Sequence, residues 1–207
     1  FWVGADANGN INLRPEDAWN KEVGLDFNIK HMNISVTGYN LHVSDMILWQ
    51  QIENGRWMPN NIRQVFSRGI ETKIQFRFKE FIFDSDYAYT KSTNESATNY
   101  LDNTLGEQLR YVPLHKLNTR LMLEKEKITL AVSNSYTGKV ITTYGNPENQ
   151  MLDNFTLTNI SLKYIFEALP FSLEAKVKNL MNRSYITYQN YPNPGREYLL
   201  TINYTIY

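Results

Sequence analysis

The feature that most constrains this chain is a two-residue alternation of apolar and polar side chains, repeated in one long segment after another. In EVGLDFNI the apolar set is Val23, Leu25, Phe27 and Ile29, while Glu22, Gly24, Asp26 and Asn28 take the other parity. Successive side chains of a β-strand leave opposite faces, so this pattern describes a strand that is apolar on one side only. The pattern recurs with Ile70, Ile74, Phe76 and Phe78 against Glu71, Lys73, Gln75 and Arg77, and with Phe83, Tyr87 and Tyr89 against Asp84 and Asp86. It returns with Leu117, Leu121 and Leu123 against Asn118, Arg120 and Glu124, with Ile128, Leu130 and Val132, and with Phe171, Leu173, Ala175 and Val177 against Glu174, Lys176 and Lys178. No segment sustains a helical repeat.

The alternation predicts nine antiparallel strands near residues 17–29, 32–48, 61–78, 82–93, 114–124, 127–138, 154–166, 171–189 and 196–206. Two of them change parity, around Gly38 and around Asn159, as a bulge would make them do, or a strand leaving its apolar environment. Tight connections (Lys30-His31, Lys79 to Phe81, Lys125-Glu126, Glu167 to Pro170) alternate with longer polar ones (Gln50 to Asn60, Asn94 to Pro113, Lys139 to Asp153, Asn190 to Gly195). An up-and-down sheet with its short turns at one end and its long loops at the other produces that order, and outer-membrane barrels have this asymmetry. A soluble sandwich or lipocalin-like barrel also alternates, but the central strands exceed the 9–11 residues that cross a bilayer obliquely. Tyr39, Tyr136, Tyr164, Tyr185, Tyr188 and Tyr198 lie near predicted strand ends, where an interfacial girdle would place them.

Composition narrows the function. Lysine plus arginine equals aspartate plus glutamate at 21 each, so no basic field draws nucleic acid. Cysteine is absent, and His31, His42 and His115 lie too far apart to form a metal-binding motif, so neither a cofactor nor a metal is expected. The chain carries no GxSxG, P-loop or dinucleotide fingerprint, and Asp84 with Asp86 on one strand face reads as wall lining rather than a glycosidase pair, so no enzyme is expected. The mean hydropathy of −0.47 and the lack of a ~20-residue apolar run exclude helical spans but not a barrel.

Three segments resemble a known family. NLRPEDAWNKEVGLDF is similar to the opening of a barrel strand in TonB-dependent outer-membrane transporters. Asp45, Ile47, Asn61, Gly69 and Glu71 match a later strand pair of that family. Asn179, Leu180, Asn182, Tyr185, Pro194, Gly195 and Arg196 match its carboxyl-terminal signature, with Met181 where phenylalanine is commoner. In that signature Pro194 and Gly195 would let the loop turn back, the glycine by adopting positive φ. The resemblance implies an all-β, antiparallel transmembrane barrel of 22 strands with a plugged lumen, of which residues 1–207 would be the carboxyl-terminal portion, about nine strands. The plug, the TonB box and the earlier strands would lie outside this chain, and FWVGADANGNIN would be an extracellular loop. The odd strand number agrees, since single-chain bacterial barrels are even.

The resemblance implies TonB-dependent uptake of a large scarce nutrient across a Gram-negative outer membrane. ILWQQIENGRWMPNNIRQV is most similar to the cobalamin-transporter branch, with siderophore or haem receptors next. The implied partners are that nutrient, outer-membrane lipid, and inner-membrane TonB acting through the missing amino-terminal part. Trp49 and Trp57, expected on an extracellular loop, are candidates to stack on the ligand, with interfacial anchoring or loop packing as the alternative. A passive porin-like or structural barrel, or a soluble all-β binding domain, are the alternatives. The strands at the two ends leave edges that invite pairing.

Overall fold

The computed structural model describes residues 9–51, 57–96, 104–143, 150–166 and 169–204, with the backbone alone for Gln50, Gln51, Trp57, Ile62 and Arg63. In chain order the strands are β1 (Asp17–Ile29), β2 (Met32–Gln51), β3 (Trp57–Phe78), β4 (Phe81–Asn94), β5 (His115–Lys125), β6 (Ile128–Thr137), β7 (Val140–Ile141), β8 (Met151–Leu152), β9 (Phe155–Ile165), β10 (Phe171–Lys178), β11 (Ile186–Tyr188), β12 (Tyr191–Pro192) and β13 (Glu197–Tyr204). Nine of these make one antiparallel sheet in the order β1-β2-β3-β4-β5-β6-β9-β10-β13, and the pairs β7-β8 and β11-β12 are small ribbons in its loops. The nine predicted strands are those of the main sheet.

Its short turns follow one design. Lys30, Lys79 and Glu126 adopt positive φ (29°, 51° and 48°), which closes two-residue connections with a hand that suits strand twist. The second residue of each turn passes its carbonyl to the neighbouring strand: His31 to the Arg77 amide, Glu80 to Glu124 and Lys127 to Ile165. Each hairpin therefore ends one two-residue step short of the next. The closing pairs are Ile29–Met32, Phe78–Phe81 and Lys125–Ile128, each one step lower along the ladder than the last. A stagger of one residue per strand is about 3.4 Å along the strands for every 4.8 Å across, a slope of about 35°. With strands tilted by that angle, the short turns share a plane, and closed barrels tilt their strands by a similar amount.

Register assigns every side chain to a face. Phe27, Ile34, Ile74 and Ser85 share one row, and Ile29, Met32, Phe76, Phe83, Leu121, Val132, Ile160, Val177 and Tyr198 share the next row down. Among the described residues nothing covers this apolar face: Val23 is 75% exposed, Leu25 60%, Leu121 49% and Leu200 69%. Leaving such side chains in water forfeits roughly 1.5–3 kcal/mol each, so the face is built for hydrocarbon. A two-layer sandwich would have sealed it. Where polar groups reach this face they answer each other, as when the Thr158 hydroxyl donates to Asn134 Oδ1 at 2.6 Å.

Several expectations are corrected. Of the two readings of the parity change around Gly38 the bulge is excluded, because the β1–β2 register runs unbroken; the irregularity falls between Val43 and Ile47, where Asp45 has φ 55°. The register at Asn159 is likewise continuous. Tyr39 stands opposite Glu22, on the polar face, rather than in a girdle. The strand expected over 171–189 stops at Lys178, so Tyr185 and Tyr188 belong to the loop that follows. Most of the expected 50–60 loop is strand. The end of the strand expected at 196–206 lies outside the described residues.

Candidate ligand-facing site

The polar face is a wall of paired side chains. One row runs Asp26, Ser35, Lys73, Asp86, Asn118, Ser135, and the row beside it Asn28, Asn33, Gln75, Asp84, Arg120, Ser133, Asn159. Lys73 stands opposite Asp86 and Arg120 opposite Asp84, so charges of opposite sign meet across strands and the wall has little net field. The Ser35 hydroxyl donates to Asp26, the Gln75 amide to Asp84 at 3.3 Å, and the Ser135 hydroxyl to Asn118 at 2.8 Å. Two open furrows of about 360 and 510 Å³ run along these rows. Towards the turns, buried Ile82, Met122 and Ala131 form a small apolar patch on the same face. Asp84 and Asp86 are thus wall residues, as expected.

Two of the sequence motifs meet at the long-loop end. Residues 10–16 lie along β2 and β3, and Asn61 holds them: its Oδ1 accepts the Arg14 amide at 2.7 Å, and its Nδ2 donates to the Arg14 carbonyl at 2.9 Å and the Asp45 carbonyl at 2.6 Å. The Arg14 guanidinium pairs with the Asp45 carboxylate, and Glu16 accepts the Ile47 amide at 2.7 Å. The left-handed backbone at Asp45 turns its carbonyl towards Asn61, which explains why aspartate stands there. Above this latch the β2–β3 ribbon continues, with Trp49 opposite Pro59 and Trp57 opposite Gln51. Trp49 is 45% exposed. Both tryptophans therefore belong to strand rather than loop, at neighbouring register positions of a projecting ribbon.

The carboxyl-terminal signature is a loop-closing device. Asn179, buried at φ 48°, donates its amide to Asn159 Oδ1 at 3.0 Å, donates Nδ2 to the Arg183 carbonyl at 2.8 Å and accepts the Arg183 amide at 2.8 Å. Leu180 donates to the Thr158 carbonyl at 2.7 Å, anchoring the loop to β9. Asn182, also left-handed, accepts the Arg196 amide at 2.9 Å. The positive φ expected of Gly195 belongs to these asparagines instead, and a Cβ there would sit 2.8 Å from Asn182 Oδ1, so that any side chain would displace the Asn182 amide from its bond to Arg196. Tyr185 packs on Phe155 at 4.8 Å, and Pro194 precedes the Gly195 contact. Replacing Asn179 with alanine removes two side-chain bonds made in a buried site and leaves a left-handed residue without its polar support. We expect a loss of about 2–3 kcal/mol, measured as a lower unfolding midpoint of the detergent-purified protein.

Three long loops converge beside that device. A cavity of about 210 Å³ lies between Tyr111, Pro113, Gly138, Leu152, Phe155 and Ile186 and opens over Lys116 and Thr137 of the polar wall. Tyr111 and Tyr188 stack in parallel at 4.7 Å, and Tyr191 meets Tyr188 edge-on at 5.6 Å. Lys139 is offset by Asp153 at 3.5 Å. Sequence reasoning missed Tyr111 and Phe155 as parts of a site: they are far apart in the chain and nothing local joins them. Asn94, fully buried at the end of β4, was missed too; its Nδ2 donates to Thr104 at 2.8 Å and fixes the loop that carries Tyr111.

Comparison with known proteins places this architecture. Residues 2–180 match the family described as TonB dependent receptor-like, beta-barrel. The vitamin B12 transporter BtuB of Photobacterium profundum is 29% identical over 203 residues, covering 95% of this chain and 31% of that protein. A vitamin B12 transporter BtuB of Vibrio vulnificus is 26% identical over 205 residues, covering 96% and 31%. The chain thus spans under a third of the length of these relatives. Among solved structures, the copper transporter OprC superposes with a TM-score of 0.76 at 16% identity, over 95% of this chain and 32% of that one. The siderophore receptor PirA from Acinetobacter baumannii gives 0.74 at 18% identity, over 95% and 32%. The resemblance read from the sequence motifs is thereby met by match, fold and topology together, and this chain belongs to the TonB-dependent receptor-like β-barrel family.

Proposed function

We propose that this chain is barrel wall and ligand-facing loops of a Gram-negative outer-membrane receptor that takes up cobalamin, with TonB acting through a part of the receptor outside residues 1–207. The chain then forms the carboxyl-terminal third of a 22-stranded barrel. The observation that carries the reading is the exposed apolar face backed by a paired, nearly field-free polar wall. Cobalamin is favoured over a ferric siderophore on two grounds. The vitamin B12 transporters match along 95% of the chain. The loop cavity is lined by Tyr111, Phe155 and aliphatic side chains beside the Tyr111–Tyr188 stack, with Lys139 offset by Asp153 and Lys116 as its one lining cation, which suits an edge of a ligand of low net charge better than a multiply charged anion. Tyr111, Tyr188 and the ribbon of Trp49 and Trp57 are the surfaces we assign to it.

Equilibrium binding to the full-length receptor tests this. Cyanocobalamin should bind, Tyr111→Ala should weaken it about tenfold, within the roughly 1–3 kcal/mol of one aromatic stacking contact, and ferric siderophores should not compete. Binding of a ferric siderophore or haem with no response to cobalamin would overturn the assignment.

A further inference from the structure

The loop cavity admits only one end of a corrinoid. At about 210 Å³ it is smaller than the roughly 300–1,000 Å³ of pockets that enclose a whole drug-sized ligand, and a corrin rimmed with amides is larger than such a ligand. On the loop side its walls are apolar, with Tyr111, Leu152, Phe155 and Ile186. A peripheral amide of the corrin placed against them would lose its bonds to water without replacement. The methylated edge of the benzimidazole, at the end of the nucleotide arm, has no such bonds to lose. Both lining rings are set before a ligand arrives, because a tyrosine of the carboxyl-terminal loop holds each of them: Tyr188 stacks on Tyr111 at 4.7 Å, and Tyr185 packs on Phe155 at 4.8 Å.

The polar wall supplies the other half of the site. Register places Glu71, Ala88, Lys116, Thr137 and Phe155 in one row on five consecutive strands of the main sheet. Lys116 therefore stands beside Thr137 and two strands, about 10 Å, from Phe155. A ribose and a lysine side chain together bridge that distance. Ala88 separates Lys116 from Glu71, and no ion pair holds Lys116 among the described residues. The carboxylate that lines the cavity, Asp153, is offset by Lys139 at 3.5 Å. We propose that Lys116, with the Thr137 hydroxyl, binds the phosphodiester of the nucleotide arm while the benzimidazole edge lies against Tyr111 and Phe155. One lining cation then meets the one phosphodiester of a ligand whose side chains are otherwise neutral amides, through charge-assisted hydrogen bonds. Lys116 is thereby the residue that tells a complete corrinoid from one without the arm.

The inference rests on the cobalamin reading, and the choice of ligands separates the two. The full-length receptor in detergent is titrated with cyanocobalamin and with dicyanocobinamide, which keeps the corrin and its amides, is likewise neutral overall, and lacks the phosphodiester, ribose and base. Cyanocobalamin should bind at least tenfold tighter, the scale of one hydrogen bond to a charged group. K116Q and K116M should each weaken cyanocobalamin about tenfold and leave dicyanocobinamide unchanged, whereas K116R keeps most of the wild-type margin. Equal affinity of the wild type for the two corrinoids, an equal loss of both in the glutamine and methionine variants, or an undiminished margin in those variants each overturns the phosphodiester site and leaves the cobalamin reading standing. A receptor that binds neither corrinoid and takes a ferric siderophore instead overturns both.

Discussion

Leu121→Arg will destabilise the folded receptor by about 2–4 kcal/mol, the cost of a lipid-facing arginine near mid-bilayer. Leu121 is in the middle of β5 on the apolar face, four residues above the Lys125–Ile128 turn pair, which places it about 11 Å up a band of roughly 25 Å. The control is Asn118→Arg, on the polar face opposite Asp86, where a cation gains a partner and the change should stay within about 0.5 kcal/mol. Refolding into lipid vesicles, with urea titration of the heat-modifiable band, measures both. The pair discriminates sharply: Leu121 is half exposed, so in a protein dissolved in water the arginine would be harmless or helpful. Equal tolerance of the two substitutions would remove the hydrocarbon assignment of the whole face.

The second large effect belongs to Gly69. A Cβ there would lie 2.1 Å from the Tyr89 carbonyl oxygen and 2.7 Å from the Tyr39 ring and hydroxyl. Tyr39 covers the glycine from the opposing strand and shares a 2.9 Å hydrogen bond with the Thr90 hydroxyl, locking three strands at one point. Gly69→Ala should therefore cost about 2–3 kcal/mol through overpacking and slow barrel assembly. Because the tightest contact is backbone, Tyr39→Ala will not rescue it, although it vacates the ring. Rescue in the double variant, read from the same urea midpoints, would mean that the ring alone excludes a side chain.

The fold was legible where one face of a strand is apolar without interruption, as in Val23 to Ile29 or Leu121 to Leu123. A one-residue slip there would turn every such side chain to the wrong side, so register follows from composition. Legibility failed where polar and apolar parities mix. Tyr39 and Leu41 suggest a bulge only if aromatic and aliphatic residues share the apolar face, yet Tyr39 is there to cover Gly69 from the other side. The dihedral role that the motif suggests for Gly195 is filled by asparagines, since Asn179 and Asn182 tolerate the left-handed region while supplying hydrogen bonds that glycine lacks. The latch of Arg14, Asp45 and Asn61 was visible as separate motif fragments, but only pairing in space joins them. The loop cavity was invisible for a stronger reason: its two lining rings, Tyr111 and Phe155, come from a loop and from the start of β9, and no period in the sequence joins them.

The constant two-residue descent from one turn to the next makes each hairpin a screw-related copy of its neighbour. A pair of strands can then be duplicated, deleted or grafted from another receptor and still meet the membrane at the correct level, provided the graft is cut at the turns and carries the same offset. Swapping a single strand breaks that rule and lifts everything after it out of plane. Diversification of such receptors should therefore proceed by whole hairpins, with the upper loops free to change under a wall whose pitch is fixed.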